Sequence, residues 1–396
     1  MSRLQTNYTR LPVQQADLVA AADRLAPILA ARAQETERQR MLPKATMDDL
    51  FANGLLRYFI PARMGGHESE WGTQIHIGRA LARACGSTAW IGCVVGSHAL
   101  YISRMDPRAQ DDVWGDTPDV LVATGSVMRN VTVDKEADGY RLSGRWSFCS
   151  GIDHASWALL RASPTGDQRQ SYFLIPRSEI TIEDDWYVSG MSGTGSKTAV
   201  VKDALIPFYR VLSMSEMMSP NPPGARANPH YLCTSSFRPF SGSNLLGPIL
   251  GGAEAVYNAF RDMAEEGAGG LDKEDPQTLL QLIEAAAEIG AADRVTESLI
   301  QRQIAFGKAG QPIPKPERIA IVRDRTYVAR LCLNAATRLM HHVDASAVLT
   351  DAPIQRYYRD LQGMMQQIGV NWDRNMLSAA RAMFDLKTDI PDLNAD

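Results

Sequence analysis

The sequence predicts an α+β chain in three successive parts: a helical segment, a β segment and a helical bundle. Three observations carry this. Up to residue 104 apolar residues recur at helical spacing; from Val120 short runs rich in Val, Tyr, Trp, Phe and Thr alternate with turn signals; beyond Gly242 four long helical blocks follow with short connections. We place the boundaries at 1–118, 119–215 and 216–396, the last part opening with a loop that precedes the bundle.

In the first part Leu18, Ala22, Leu25 and Leu29 form a stripe within residues 12–40. Thr46, with Asp49 three residues on, reads as a helix N-cap, and Gly54 as a C-terminal stop. Residues 71–85 and 88–104 read as two more helices divided at Gly86-Ser87. Residues 86–103 carry no formal charge, yet Gly92, Gly96, Ser97, His98 and Ser103 make them too polar for a lipid-facing span. A helix buried in protein is expected there, and no membrane association.

Strands are expected near 120–124, 131–136, 139–149, 155–162, 171–176 and 197–205, in an antiparallel domain with turns at Asp138-Gly139, Ser143-Gly144 and Gly166-Asp167. Across 213–243, Pro220, Pro222, Pro223 and Pro229 forbid a continuous helix. Such a loop is either functional or a structural cover. The bundle blocks run over 245–265, 276–304, 316–343 and 353–386, the second showing Leu282, Ile289 and Leu299 on one face.

Composition excludes several functions. Hydrophobic residues make up 45% and charged residues 22% of the 396, as in soluble globular proteins. The net charge is −4 without a basic block, so a nucleic-acid partner is not expected. Five cysteines, Cys85, Cys93, Cys149, Cys233 and Cys332, are odd in number and form no CxxC pair. They read as the reduced thiols of a cytoplasmic protein, and the N-terminus shows no export signal. No GxGxxG follows a strand, and the Gly190 to Gly195 spacing fails as a phosphate loop because Ser196 stands where the lysine belongs. His341-His342 with Asp344 lacks a third spaced ligand, so no metal is expected.

The most informative stretch is Gly144-Arg145-Trp146-Ser147-Phe148-Cys149-Ser150-Gly151. It reads as a strand running into a tight polar turn, then a second strand opening at Ala155. Phe148 could cover a flat ring, Ser150 could donate to it, and Gly151 would let backbone approach closely. A plain β hairpin with core aromatics fits the same residues.

This segment resembles the flavin-facing turn of the acyl-CoA-dehydrogenase-like monooxygenases, the oxygenase components of two-component aromatic hydroxylases of the 4-hydroxyphenylacetate 3-hydroxylase kind. Four further motifs match in order: Gly54-Leu55-Leu56-Arg57-Tyr58-Phe59-Ile60-Pro61, Ala84-Cys85-Gly86-Ser87-Thr88-Ala89-Trp90, Gly190-Met191-Ser192-Gly193-Thr194-Gly195-Ser196, and Pro353-Ile354-Gln355-Arg356-Tyr357-Tyr358-Arg359-Asp360-Leu361. The resemblance implies the acyl-CoA dehydrogenase fold and a reduced-flavin-dependent monooxygenase. Such an enzyme takes reduced FMN or FAD from a separate NAD(P)H:flavin reductase, binds dioxygen, and hydroxylates a small aromatic or heteroaromatic substrate through a flavin C4a-hydroperoxide. It also implies a homotetramer.

The same resemblance gives His98 the role of orienting the substrate and Ser150 that of donating to the flavin N5 region. Ser126 would face flavin and substrate, and Thr194, Gly195 and Ser196 the ribityl or phosphate portion. Each also has a plain structural reading, as a core histidine or a turn residue. Phenol-hydroxylating relatives usually carry a histidine in the last helix where this chain offers Gln366-Gln367. Gln367 would line the far wall but cannot take a proton, which favours indole-like substrates. Two rival readings remain: an acyl-CoA dehydrogenase with bound FAD and Glu254 as its base, and a non-catalytic flavin-binding subunit.

Overall fold

The computed structural model describes residues 11–394 except Gln168. The first part holds α1 (Val13–Gln39), α2 (Lys44–Ala52), α3 (Thr73–Ala82), α4 (Gly86–Trp90), α5 (Ala99–Ser103) and α6 (Pro107–Trp114). Thr46 is not the N-cap of α2: the helix starts at Lys44 behind Pro43, and Thr46 lies buried inside it. Proline presets a helical entry without needing a side-chain cap.

The expected helix over 88–104 is interrupted. Between α4 and α5 the chain opens into a π turn at Ile91–Val95 and then a tighter turn at Gly96–His98. The cause is a side chain inserted from elsewhere. The buried Tyr58 hydroxyl reaches the carbonyls of Gly92 (3.0 Å) and Cys93 (2.8 Å), drawing them out of the regular ladder. A Cβ on Gly96 would lie 2.7 Å from that hydroxyl, so only glycine fits beneath it.

The second part is a sandwich of two four-stranded sheets. One has the order β1 (Val122–Gly125), β4 (Trp157–Ala162), β5 (Ser171–Pro176), β8 (Val211–Ser213); the other has β2 (Val127–Lys135), β3 (Gly139–Cys149), β7 (Lys197–Pro207), β6 (Ile180–Glu183). Pairing is antiparallel except for β1 and β4, which run parallel. The short strands β6 and β8 escaped the sequence reading. Ala123, Leu160, Phe173, Trp146 and Val201 pack between the sheets.

Residues 213–243 hold two short helices, α7 (Met214–Met218) and α8 (Tyr231–Thr234), around irregular backbone. The bundle follows: α9 (Leu246–Glu266), α10 (Pro276–Ala309), α11 (Lys315–Met340) and α12 (Pro353–Met364), with α13 (Trp372–Met383) against α11. The last expected block is thus two helices. The chain turns at Ile368–Val370, where the Gln367 side chain accepts the Gly369 N–H and Asn371 caps α13. Close backbone contact ties bundle to N-terminal part: Cβ atoms on Gly247 and Gly251 of α9 would lie 2.2 Å from the carbonyl oxygens of Ile75 and Arg79 in α3. No helix among the described residues is long and apolar enough to cross a membrane.

Candidate active site

Three segments converge between the N-terminal helices and the first sheet. The turn after β3 brings Gly151 against the π turn, where an added Cβ would lie 3.2 Å from Ile91 and 3.6 Å from Val95. Gly125 at the end of β1 sits beneath Cys149, with 2.9 Å between its would-be Cβ and the sulfur. His98 follows Val95 by three residues and faces β1.

His98 is buried, and its state can be derived. Nδ1 lies 2.8 Å from the Val122 carbonyl oxygen, which only accepts, so Nδ1 carries the proton. Nε2 then keeps a lone pair, facing the Thr124 hydroxyl at 3.3 Å. Burial pushes the imidazole down to about 4, so it is neutral at ordinary pH. His98 Nε2 is therefore a fixed hydrogen-bond acceptor and a weak base.

Ser150 heads a chain of hydroxyls. Its Oγ is 2.7 Å from Ser196 Oγ, which is 2.7 Å from Thr194 Oγ1, which donates to the Met191 carbonyl at 2.8 Å. Thr194 and Ser196 are buried behind the partly exposed Ser150. The Gly151 N–H donates to the Thr194 carbonyl at 2.8 Å, locking the two turns together. Gly195 adopts φ +53°, and a Cβ there would lie 2.6 Å from Asp153. Asp360 in α12 accepts the Met191 N–H at 2.6 Å and so holds this loop on the bundle. Burial raises its carboxyl to about 6.

Phe148, at φ +62°, is 60% exposed, its ring edge-on to Trp186 at 5.8 Å. An uncovered aromatic wall beside hydroxyl donors fits a flavin ring. Ser126, partly buried, accepts from Arg161 through its carbonyl at 3.2 Å. Among the described residues Gln367 makes no hydrogen bond to His98 or Ser150; its side-chain carbonyl caps its own turn.

The rival dehydrogenase chemistry loses its base. Glu254 is buried in ion pairs with Arg79 (2.5 Å) and Arg83 (2.8 Å), unavailable as a dehydrogenase base. Cys149, next to Ser150, is buried, and desolvation pushes its thiol up to about 12, so it stays protonated.

Residues 14–113 match the acyl-CoA dehydrogenase N-terminal domain and residues 245–372 the acyl-CoA dehydrogenase C-terminal domain. The chain is 34% identical over 359 residues, 88% of its length and 91% of the relative's, to the flavin-dependent monooxygenase oxygenase subunit HsaA of Mycobacterium tuberculosis. It belongs to the oxygenase components of two-component flavin-dependent monooxygenases. Another relative, at 28% identity with 93% of this chain and 94% of the relative covered, is the oxygenase component of the FADH(2)-dependent resorcinol hydroxylase of a Rhizobium species. The structure of 3-HSA hydroxylase from Rhodococcus sp. RHA1 superposes with a TM-score of 0.90 at 30% identity, over 95% of this chain and 98% of that one. Like its family, the enzyme acts with dioxygen on reduced FAD or FMN that a separate reductase supplies.

Sequence reasoning missed two residues around the site, Tyr101 and Arg104. Tyr101 follows His98 by one helical turn, a spacing that marks it as a neighbour on the same face. Arg104 ends the uncharged stretch. It is fully buried, and its guanidinium donates to the carbonyls of Met217 (3.0 Å), Leu232 (2.6 Å), Ser235 (3.1 Å) and Ser219.

Proposed function

We propose that the protein hydroxylates a small aromatic ring, phenolic or indole-like, held between His98 and the Ser150 turn. The observation that carries this is the neutral His98 with its Nε2 lone pair facing the site. A phenol O–H or an indole N–H would donate to Nε2, displacing the long Thr124 contact and fixing which ring carbon meets the flavin. Bound reduced flavin supplies the oxygen-activating chemistry. Ser150 would hold it by a hydroxyl donor, backed by Ser196 and Thr194, with Phe148 beside the ring and Ser126 at the substrate end. Bound flavin would cover the exposed Phe148 and the partly exposed Ser150 and so shield the reacting atoms from water, with the buried His98 on the other side.

His98 Nε2 can accept a hydrogen bond from a phenol O–H or an indole N–H, a role that Gln367, its side chain folded onto its own turn, does not fill. The relatives that act on p-hydroxyphenylacetate and resorcinol support the same reading. The deciding experiment compares a phenol with an indole in wild type, Gln367→His and His98→Gln, each with a flavin reductase. We expect Gln367→His to change both rates by less than threefold and His98→Gln to lower phenol turnover more than a hundredfold. A phenol-selective gain from Gln367→His would return the base to that position.

We also infer a homotetramer in the cytoplasm. Exposed Leu377, Met383, Phe384 and Leu386 on and after α13 offer an apolar surface for a second copy, and the five cysteines are free and buried.

A further inference from the structure

Beside His98, Ser126 belongs to a polar row whose other members the roles above leave without use. In the register of the first sheet Gly125 pairs with Leu160, and Arg161 pairs with Tyr172. Ser126, Arg161 and Tyr172 therefore stand abreast on the face turned to the N-terminal helices. Tyr101 descends on them from α5, its ring 5.4 Å from that of Tyr172, 5.4 Å from Phe237 and 5.8 Å from His98. The Tyr172 hydroxyl interacts with the side chains of both Tyr101 and Ser126. Tyr101 keeps some accessible surface.

The guanidinium of Arg161 is the unusual member. Its one hydrogen bond among the described residues goes to the Ser126 carbonyl, its Nε is buried without a partner, and no carboxylate pairs with it. An unneutralised cation in a largely apolar wall, flanked by hydroxyl donors, is complementary to an anion. Resting on the reading of the site as an aromatic hydroxylase, we infer that Arg161, with Tyr101 and Tyr172, recognises an anionic substituent on the substrate, so that the substrate is an aromatic acid. Its carboxylate would sit at this end of the pocket while His98 holds the ring's own donor group. Phe237 would carry the loop over the substituent.

The test uses the complete enzyme with a flavin reductase and two phenols of similar size, 4-hydroxyphenylacetate and 4-ethylphenol. We expect the KM for the acid to be at least tenfold lower than for the neutral phenol in wild type. Arg161→Met should shrink that ratio by tenfold or more, and Arg161→Lys, which keeps the charge but not the fork, should restore part of it. Equilibrium dialysis of both phenols against each protein gives the same ratio without turnover. Equal KM values in wild type, or an Arg161→Met change that affects both phenols alike, would overturn the inference and leave the hydroxylase reading standing. Absence of product from either phenol and from every other aromatic tested would remove that reading instead.

Discussion

Replacing Ser150 and Ser196 by alanine, singly and together, should expose how the hydroxyl chain works. Thr194 gives its proton to the Met191 carbonyl, so Ser196 holds one proton between two neighbours, each 2.7 Å away. If that proton turns to Thr194, Ser150 must donate inward. If it turns to Ser150, the Ser150 proton is free to point at the flavin. The choice exchanges one neutral hydrogen bond for another, so losing Ser196 should cost about 1 kcal/mol, roughly fivefold. Losing Ser150 removes the donor itself, typically about 3 kcal/mol or on the order of a hundredfold in such sites. The readout is product formed per hydrogen peroxide released, from chromatography alongside a peroxidase assay. We expect the ratio to fall by about these factors, and the double variant to match Ser150→Ala because Ser196 acts through it. Multiplying effects, or an unchanged ratio in Ser150→Ala, would refute the chain.

Other consequences are more local. Arg104→Met leaves four carbonyls of the 217–235 segment without their donor, and should lower unfolding free energy by about 3–5 kcal/mol and speed proteolysis within that segment; protection equal to wild type would remove the clamp. His98 has a folded value of about 4 against an unfolded value of 6.5, so the unfolded chain binds the extra proton. Its stability contribution is present above pH 6.5 and lost as pH falls towards 4, about 3 kcal/mol in all. A soluble His98→Gln variant should therefore lose less stability between pH 7 and 4.5 than wild type, as denaturant titrations would show. Asp360 runs the other way, raised from 3.8 to about 6, so its stabilisation is present below pH 3.8 and lost as pH rises through 6. Asp360→Asn, which can still accept the Met191 N–H, should raise stability at pH 7 by up to about 3 kcal/mol, and a decrease there would show that the charge is needed.

The three-part order was legible because each part has its own period over many residues. His98 and Ser150 stood out because a histidine in an uncharged helix and a serine in a glycine turn are locally unusual. The π turn was not legible, since its cause is Tyr58, 34 residues from Gly92 in sequence. The row of Ser126, Arg161 and Tyr172 depends on the register of three strands, which no single segment encodes. Gln367 reads as a candidate wall residue, whereas its side chain closes a turn that breaks the expected helix.

The most direct test of the central claim is turnover under labelled dioxygen with the reductase as the variable. With a separate flavin reductase, NADH and flavin, the account predicts one labelled oxygen atom on the aromatic product, and no product when the reductase is omitted. Label arriving from water, or turnover by this chain alone with NADH and oxidised flavin, would contradict it.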